Sequence, residues 1–468
     1  MKRLVEQDLT KWYASPYKKP LIIRGARQVG KSSLVRQFAA QKGLTLHEVN
    51  LERHVTLATV FASNDPDKIL QELAFLCDNK EIRGENSLLF LDEIQAVPEA
   101  IAALRYFYED YPDFPVIAAG SLLEFTLSAH SFSMPVGRIQ YLFLEPMSFT
   151  EMLLAMKEEN LLSFLQSYQL TDDFPLTAHQ RLLELQRIYL LIGGMPEAVQ
   201  RYVDTKSFEQ VSEVHASIVD TYRDDFAKYA QKSTLFNLHR VFDYVPSAIG
   251  EKFKYVNVDP NTQARDIRKA FDLLLKAQVI RRACHTDGSG LPLRASINDK
   301  IFKPFFLDCG LVNHICGVSH ISIENMLNKR FINEGKLAEQ FIAQHLNHLG
   351  SPNTSYPFTY WLREGRSANA EVDFLVQLNQ TVVPLEIKAG KSGTLKSLLQ
   401  FIYQKNLSHA VRFDLNRPTN QEIRHVLHQT DGNKEVVFTL LSLPLYLIEQ
   451  LPRLFSQSYP AETNFYSS

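Results

Sequence analysis

The residues from Gly25 to Ser32 have the types and spacing of a loop that binds phosphate. Backbone N–H groups of such a glycine loop and the positive end of the following helix hold phosphate oxygens. Lys31 would reach the terminal phosphates of a nucleotide, and the hydroxyl of Ser32 would bind Mg²⁺. We expect nucleotide contacts along the whole stretch, from Gly25, Ala26, Arg27, Gln28, Val29, Gly30, Lys31, Ser32 and Ser33. The sequence therefore predicts a nucleoside triphosphate site.

The residues that flank this loop are those of a strand and a helix. Leu21, Ile22 and Ile23 form a short apolar run before it, and the apolar residues after it recur with helical spacing. A strand, a glycine loop and a helix in this order are the setting that a phosphate-binding loop requires. A simple glycine turn that happens to carry a lysine would not need this setting.

A second apolar run, Leu88–Leu91, leads directly into Asp92 and Glu93. At the end of a buried strand, Asp92 would coordinate the Mg²⁺ of the nucleotide. Glu93 would act as the base that polarises the attacking water. No Asn-Lys-x-Asp motif for guanine follows, so we expect ATP rather than GTP.

Two further residues are candidates for contacts with the nucleotide. Ser121 follows the apolar run Val116–Ala119, where it could orient water or contact the terminal phosphate. The alternative is that Ser121 only caps the next helix. Arg138 could neutralise phosphate charge in a neighbouring subunit, which would require a homo-oligomer, but a surface arginine is equally consistent with the sequence.

A separate group of charged residues lies near the carboxyl terminus. Asp373 is followed thirteen residues later by Glu386, and Lys388 comes two residues after that. Residues 386 and 388 point to the same face of a strand, beside Asp373 on the neighbouring strand. Glu339, on a preceding helix, would complete a set of carboxylates for Mg²⁺ or Mn²⁺. Glu386 and Lys388 would then activate water for phosphodiester cleavage. The alternative is an ordinary Glu–Lys pair on a solvated strand.

The overall composition restricts the class of protein. At 468 residues the chain is long enough for about two to four domains, and the 45% hydrophobic and 22% charged fractions are typical of globular proteins. No apolar run is long enough to span a membrane, and the first residues lack an apolar signal core. The four scattered cysteines predict free thiols. These features predict a cytoplasmic protein without a membrane partner.

The pattern along the chain predicts four domains: an ATPase core at 1–150, a helical lid at 151–227, a basic domain at 228–330 and a nuclease-like domain at 331–468. Residues 228–285 contain eleven Lys and Arg against five Asp and Glu. An amphipathic helix followed by two strands predicts a winged-helix-like module that contacts DNA or RNA. A structural helical domain with a solvated basic face is an equally good interpretation.

The quoted motifs resemble those of a family of bacterial and archaeal ATP-binding proteins that join an AAA-type ATPase domain (AAA_14-like) to a DUF4143 domain. The resemblance implies a DUF4143 region at roughly 200–390. It rests on these runs: Gly25–Ser32, Leu91–Gln95, Ala119–Ser121, Gly137–Arg138, Leu144–Phe149, Gly193–Glu197 and Lys303–Leu311. The order of Glu339, Asp373, Glu386 and Lys388 resembles the PD-(D/E)xK nuclease superfamily.

These observations predict an α/β protein. It would have a P-loop parallel sheet with a helical lid, a winged-helix-like middle and a restriction-endonuclease-like α/β domain. The predicted function is Mg²⁺-dependent ATP hydrolysis coupled to a nuclease-like domain that acts on nucleic acid. An ATP-gated switch that binds DNA or protein without cleavage is the alternative, and a protein-remodelling ATPase is a third.

Overall fold

The computed structural model describes residues 1–77, 81–120, 135, 137–229, 232–317, 334–354, 358–364, 369–388, 390, 395–429 and 432–460. The amino-terminal part contains a five-stranded sheet whose strands are paired in the order β2-β3-β4-β1-β5. Every pairing in this sheet is parallel. Its strands are β1 Leu21–Arg24, β2 Thr45–Asn50, β3 Ser87–Asp92, β4 Val116–Gly120 and β5 Gln140–Phe143. The predicted α/β class, with its parallel sheet, is confirmed.

Burial explains why these runs form the centre of the sheet. Every residue of β3 and β4 is buried, as expected for parallel strands that are covered by helices on both faces. The helices of this part are α1 Glu6–Ala14, α2 Lys31–Lys42, α3 Ala58–Phe61, α4 Pro66–Leu76 and α5 Pro98–Asp110. Asp65 caps the amino terminus of α4, because its carboxylate accepts the backbone N–H groups of Asp67 and Lys68.

A helical region follows the first sheet. Its first helix begins with a capping box, in which the Ser148 hydroxyl accepts the Glu151 N–H while the Glu151 carboxylate accepts the Ser148 N–H. The helices are α6 Phe149–Ala155, α7 Glu159–Ser167, α8 Leu176–Ile192, α9 Pro196–Thr205, α10 Phe208–Tyr229, α11 Lys232–Tyr244, α12 Tyr255–Val258 and α13 Ala264–Lys276. Helix α13 is the predicted amphipathic helix and buries Ile267, Phe271 and Leu274.

The second sheet has eight strands in the order β12-β13-β11-β10-β9-β8-β6-β7. Its strands are β6 Ile280–Thr286, β7 Ile297–Phe306, β8 Phe358–Arg363, β9 Ala370–Leu378, β10 Thr381–Ile387, β11 His409–Asp414, β12 Thr419–Gln429 and β13 Gly432–Pro444. Its helices are α14 Cys309–Ile315, α15 Glu334–Leu349, α16 Lys396–Lys405 and α17 Leu451–Ser458. Strands β8, β9 and β10 are antiparallel neighbours, whereas β10 and β11 are parallel and joined through α16.

The hairpin of β6 and β7 differs from the expected independent wing. Strand β6 pairs in parallel with β8, so that Ala283 lies beside Phe358 and also beside Lys303 of β7. The hairpin is therefore one end of the eight-stranded sheet, because its second edge is covered by a later strand. The sheet continues across the expected domain boundary at residue 330.

A continuous hydrophobic cluster joins the two sheets through the helices between them. Phe149 of α6 packs edge to face against Tyr189 of α8 and Phe341 of α15, with ring centroids 6.0 and 6.3 Å apart. This packing fixes the nucleotide half of the chain against the second sheet. Within the described ranges, no helix is both long and apolar enough to cross a membrane.

Candidate nucleotide site and carboxy-terminal acidic cluster

The loop between β1 and α2 has the backbone of a tight phosphate-binding turn. Gly30 has φ +95° and Gln28 has φ +64°, so the chain enters the left-handed region twice before α2 begins. Gly25 has no room for a side chain, because a Cβ there would collide with the carbonyl oxygen of Leu144. The loop therefore turns sharply onto the first turn of α2, which directs its free N–H groups towards one place.

Lys31 lies inside this loop and is 8% exposed. Its ammonium donates hydrogen bonds to the carbonyl oxygens of Gly25, at 3.1 Å, and Ala26, at 2.8 Å. Burial lowers the pKa of Lys31 to about 8. A nearby triphosphate would favour the charged ammonium, so nucleotide binding and Lys31 protonation support each other.

Ser32 and Asp92 meet beside the loop, where a Mg²⁺ ion of a bound nucleotide would lie. The Ser32 hydroxyl donates to Asp92 Oδ2 at 2.8 Å, and the Glu93 N–H donates to Asp92 Oδ1 at 3.1 Å. Burial raises the pKa of Asp92. A hydroxyl and a carboxylate are the oxygen ligands that Mg²⁺ prefers, so this pair fits the ion.

Glu93, the predicted base, has a left-handed backbone with φ +51°. Its carboxylate accepts a hydrogen bond from the Gln95 side-chain amide at 2.5 Å. This contact holds the carboxylate next to Asp92 at the carboxyl end of β3, the edge of the sheet at which the phosphate-binding loop also lies. The amide is therefore a positioning group for Glu93.

The other predicted nucleotide contacts have different surroundings. Ser33 is exposed, whereas Ala26 and Val29 are buried under the loop. Arg138 precedes β5 and forms an ion pair with Glu109 at 3.0 Å. Since β5 runs parallel to β1, Arg138 lies at the edge opposite the phosphate-binding loop of its own chain. Ser121 lies outside the described residues.

Residues of α10 and Arg3 contact the phosphate-binding loop, and sequence reasoning missed both. Asp225 of α10 pairs with Arg27 at 2.8 Å, and Tyr222 of the same helix donates to the Arg27 carbonyl at 2.8 Å. Arg3 donates to the Val29 carbonyl at 2.9 Å and pairs with Glu151 at 3.1 Å. No local pattern could have shown these contacts, because their partners are far apart in sequence.

The four charged residues predicted near the carboxyl terminus come together in space. We define them, with Glu371 and Lys303, as the acidic cluster. Glu339 comes from α15, Asp373 from β9 and Glu386 from β10, with Lys388 directly after β10. The Ile387 N–H donates to Asp373 Oδ2 at 2.7 Å, and the Lys388 ammonium lies 2.5 Å from Glu386 Oε1. The first of these contacts links β9 to β10 across the cluster.

Lys303 of β7 places a fully buried ammonium among these carboxylates. Its Nζ lies 3.6 Å from Glu339 Oε2 and 3.8 Å from Asp373 Oδ1, and it also contacts Glu371. Burial alone would lower the pKa of Lys303, but the carboxylates outweigh it and raise the pKa. Sequence reasoning missed this residue, although Lys303 is the first residue of the Lys303–Leu311 run.

The carboxylates of the acidic cluster are poorly solvated. Burial raises the pKa of Glu339 to about 8 and that of Glu386 to about 7. Glu339 Oε2 and Glu386 Oε2 are buried without a hydrogen-bond partner. Among the described residues, no three His, Cys, Asp or Glu side chains are arranged to hold a metal ion. As they stand, the predicted ligands do not fit a divalent cation, because the Lys303 ammonium lies between them.

Two of the motifs that suggested a family meet in a buried network around Asp308. Its carboxylate accepts the N–H groups of Gly194, Gly310 and Leu311 at 2.5, 2.9 and 3.2 Å. The side-chain amide of Gln344 donates to it at 3.0 Å. The runs 193–197 and 303–311 therefore have a structural role at this contact, where the helical region meets α14 and α15.

Comparison with protein families divides the chain into three matched segments. Residues 17–153 match the family described as AAA domain. Residues 183–322 match a domain of unknown function, DUF8612, and residues 334–446 match a second one, DUF4143. The two segments of unknown function meet in the eight-stranded sheet, since β6 and β7 belong to the first and β8–β13 to the second.

Two solved structures show distant likenesses. The Aeropyrum pernix ORC2 protein, in its ADPNP–ADP complexes, has a TM-score of 0.35 and 13% identity over 70% of this chain and 94% of its own. The Thermotoga maritima RuvB Holliday junction branch migration motor has a TM-score of 0.29 and 15% identity over 60% of this chain and 88% of its own. No curated protein matches the sequence. These likenesses are too distant to support an argument.

The assignment therefore rests on the segment match and on the site itself. The AAA domain match covers the phosphate-binding loop, Lys31, Asp92 and Glu93. The geometry of that loop and the Ser32–Asp92 pair suit a nucleotide with its Mg²⁺ ion. The protein is thus an ATP-hydrolysing enzyme, in which residues 17–153 match the AAA domain family and residues 334–446 match DUF4143.

Proposed function

We propose that ATP hydrolysis by the amino-terminal domain drives action on nucleic acid by the carboxy-terminal half of the chain. The observation that carries this proposal is the meeting of Glu339, Asp373, Glu386 and Lys388 on one helix and two adjacent strands. Carboxylates and a lysine at this spacing are the groups that a nuclease-like site needs around a phosphodiester. The activity would take place in the cytoplasm, as the sequence predicts.

The basic segment, residues 228–285, supplies a surface for the nucleic acid. On α13, the side chains of Arg265, Arg268 and Lys269 are 75%, 63% and 71% exposed. Their nearest carboxylates are 3.7 or 3.8 Å away, so these are weak surface pairs that a phosphate could replace. Binding through such residues would weaken steeply as salt rises, because bound counterions are released.

Contacts through residues 144–151, which we call the linking segment, support coupling between the two halves. The Leu144 N–H donates to the carbonyl of Arg24, directly before the phosphate-binding loop, at 2.7 Å. The next residue, Glu145, pairs with Arg281 of β6 at 2.6 Å, and both side chains are nearly buried. A change at the nucleotide loop would therefore act on the second sheet through two adjacent residues.

A switch that binds nucleic acid without cutting it is the second candidate. The position of the Lys303 ammonium favours it, because this cation already pairs with Glu339 and Asp373, two of the carboxylates that a divalent cation would need. In such a switch, ATP would change the affinity of the chain for nucleic acid or for a partner protein, and would not start cleavage.

One comparison separates the two candidates. The full chain is incubated with linear, branched or single-stranded DNA or RNA, with Mg²⁺ or Mn²⁺, in the presence and absence of ATP. Cleavage that is lost in both Asp373→Ala and Lys31→Ala would support ATP-driven cutting. Salt-sensitive binding without cleavage would support the switch. Absence of binding at low salt contradicts both and leaves a protein-remodelling ATPase.

A further inference from the structure

The acidic cluster contains a cation that belongs to the chain itself. The Lys303 side chain is not exposed to solvent, although its partner Glu371 is 36% exposed. A buried ammonium is strongly unfavourable unless carboxylates surround it. Here they come from α15 and from β9, which are the elements predicted to supply ligands for a divalent cation.

The turn at Gly250 packs against Glu339 and against the strand that carries Lys303. Gly250 has φ +72°, and a Cβ at this position would lie 2.5 Å from Glu339 Oε2. The Gly250 N–H donates to the carbonyl of Pro304, the residue after Lys303, at 3.4 Å. This turn therefore leaves little room beside the Glu339 carboxylate.

Two carboxylate oxygens in the cluster accept no hydrogen bond. Glu386 is 5% exposed and its Oε2 has no hydrogen-bond partner, and Oε2 of Glu339 likewise has none. Both are buried acceptors, which a protein normally satisfies. The cluster is thus rich in oxygen ligands but already holds an ammonium, which would strongly repel a divalent ion among the same oxygens.

We propose that the Lys303 ammonium occupies the cation position of the acidic cluster, so that the cluster takes up a divalent cation only when this ammonium is absent or displaced. The biological meaning of this proposal rests on the proposed function, which places action on nucleic acid at the same cluster. Which cation the carboxylates hold can nevertheless be measured without nucleic acid.

Manganese binding to the nucleotide-free full chain tests the proposal, since the phosphate-binding loop then adds no nucleotide-bound metal. Lys303→Met keeps the length of the side chain and removes the charge. We expect this variant to gain one Mn²⁺ site that binds at least about tenfold more tightly than any site in the unchanged chain. Adding Asp373→Asn should abolish the gain. Lys300→Met, on the exposed part of the same strand, is the matched control.

A second test does not depend on whether Lys303→Met folds, because it keeps Lys303. We expect Asp373→Asn alone to leave Mn²⁺ binding unaffected, and also the shift in melting temperature that added Mn²⁺ causes. An Mn²⁺ site in the unchanged chain that Asp373→Asn removes would overturn the proposal, as would a folded Lys303→Met chain without any new site. Failure to bind or cut nucleic acid would overturn the proposed function but would leave both results unchanged.

Discussion

At the scale of single residues, the proposed nucleotide site depends on Lys31 and the pair formed by Ser32 and Asp92. Their positions in the fold follow from short-range rules. A glycine loop between a strand and a helix directs Lys31 into the loop, and a buried strand that ends in Asp92 delivers a carboxylate to the same edge of a parallel sheet. Such residues could be chosen from the sequence because their neighbours in the chain determine where they lie.

Lys31→Ala should abolish most ATP hydrolysis, because the ammonium that faces the terminal phosphates is lost. We expect a decrease in kcat of about 100-fold or more, the usual effect of removing one charged group that stabilises a transition state. Steady-state phosphate release measures it, with Lys42→Ala as a control at the exposed end of the same helix. Hydrolysis at an undiminished rate in Lys31→Ala would refute this assignment.

Lys303 and Arg3 show which residues the sequence does not reveal. Each acts through partners that lie far away along the chain: Lys303 through Glu339 and Asp373, and Arg3 through Val29 and Glu151. Neither has a local pattern that distinguishes it from a surface cation. Only the folded arrangement shows that both are buried.

At the scale of elements, the strands and helices were predictable but their long-range pairing was not. Alternation and apolar runs predict β9, β10 and the strands β1, β3 and β4 of the first sheet, since these patterns depend on neighbouring residues. The pairing of β6 with β8 joins residues that are far apart, such as Ala283 and Phe358. The hairpin was therefore expected to be a separate wing, although it completes a larger sheet.

Helix α15 contributes a buried histidine to the contact between the two halves. The Phe149 N–H donates to His345 Nε2 at 2.9 Å, and burial lowers the pKa of His345 to about 3. The unfolded chain would protonate this ring near pH 6.5. As the pH falls from about 6.5 towards 3, the unfolded state therefore binds a proton that the folded state does not, and stability is lost.

His345→Gln should flatten this pH dependence, because a Gln side chain accepts the Phe149 N–H without titrating. We expect the difference in slope to approach, at most, about 1.4 kcal/mol per pH unit. Urea unfolding at pH 7, 5.5 and 4.5 measures it, with exposed His425→Gln as the control. Equal slopes in His345→Gln and the unchanged chain would show that His345 does not couple folding to pH.

At the scale of the whole molecule, the linking segment joins the nucleotide loop to the second sheet. Besides the pair of Glu145 with Arg281, its contacts include the Thr150 N–H, which donates to Glu449 at 2.9 Å. Ser148 donates to the other oxygen of the same carboxylate at 2.8 Å. The two halves share these polar contacts and a continuous hydrophobic core, so nucleotide binding at one should change ligand affinity at the other.

Replacing the buried Glu145–Arg281 pair should weaken this coupling without leaving a lone charge. Arg281→Met combined with Glu145→Gln removes both charges at once, which avoids the large penalty of an unpaired buried ion. We expect ATP hydrolysis to continue while its effect on nucleic-acid affinity decreases. Arg282→Met, at the neighbouring and more exposed position, is the control. If the double variant shows an undiminished nucleotide effect, the linking segment is not the route.

The most direct test of the central claim is the affinity for a fluorescently labelled DNA duplex at low salt, measured with and without a non-hydrolysable ATP analogue. Coupling of the expected size would change the Kd about fivefold or more in the unchanged chain. The change should disappear in Lys31→Ala, which lacks the phosphate contact. A Kd that is the same with and without nucleotide, or no binding of DNA at low salt, would contradict the account.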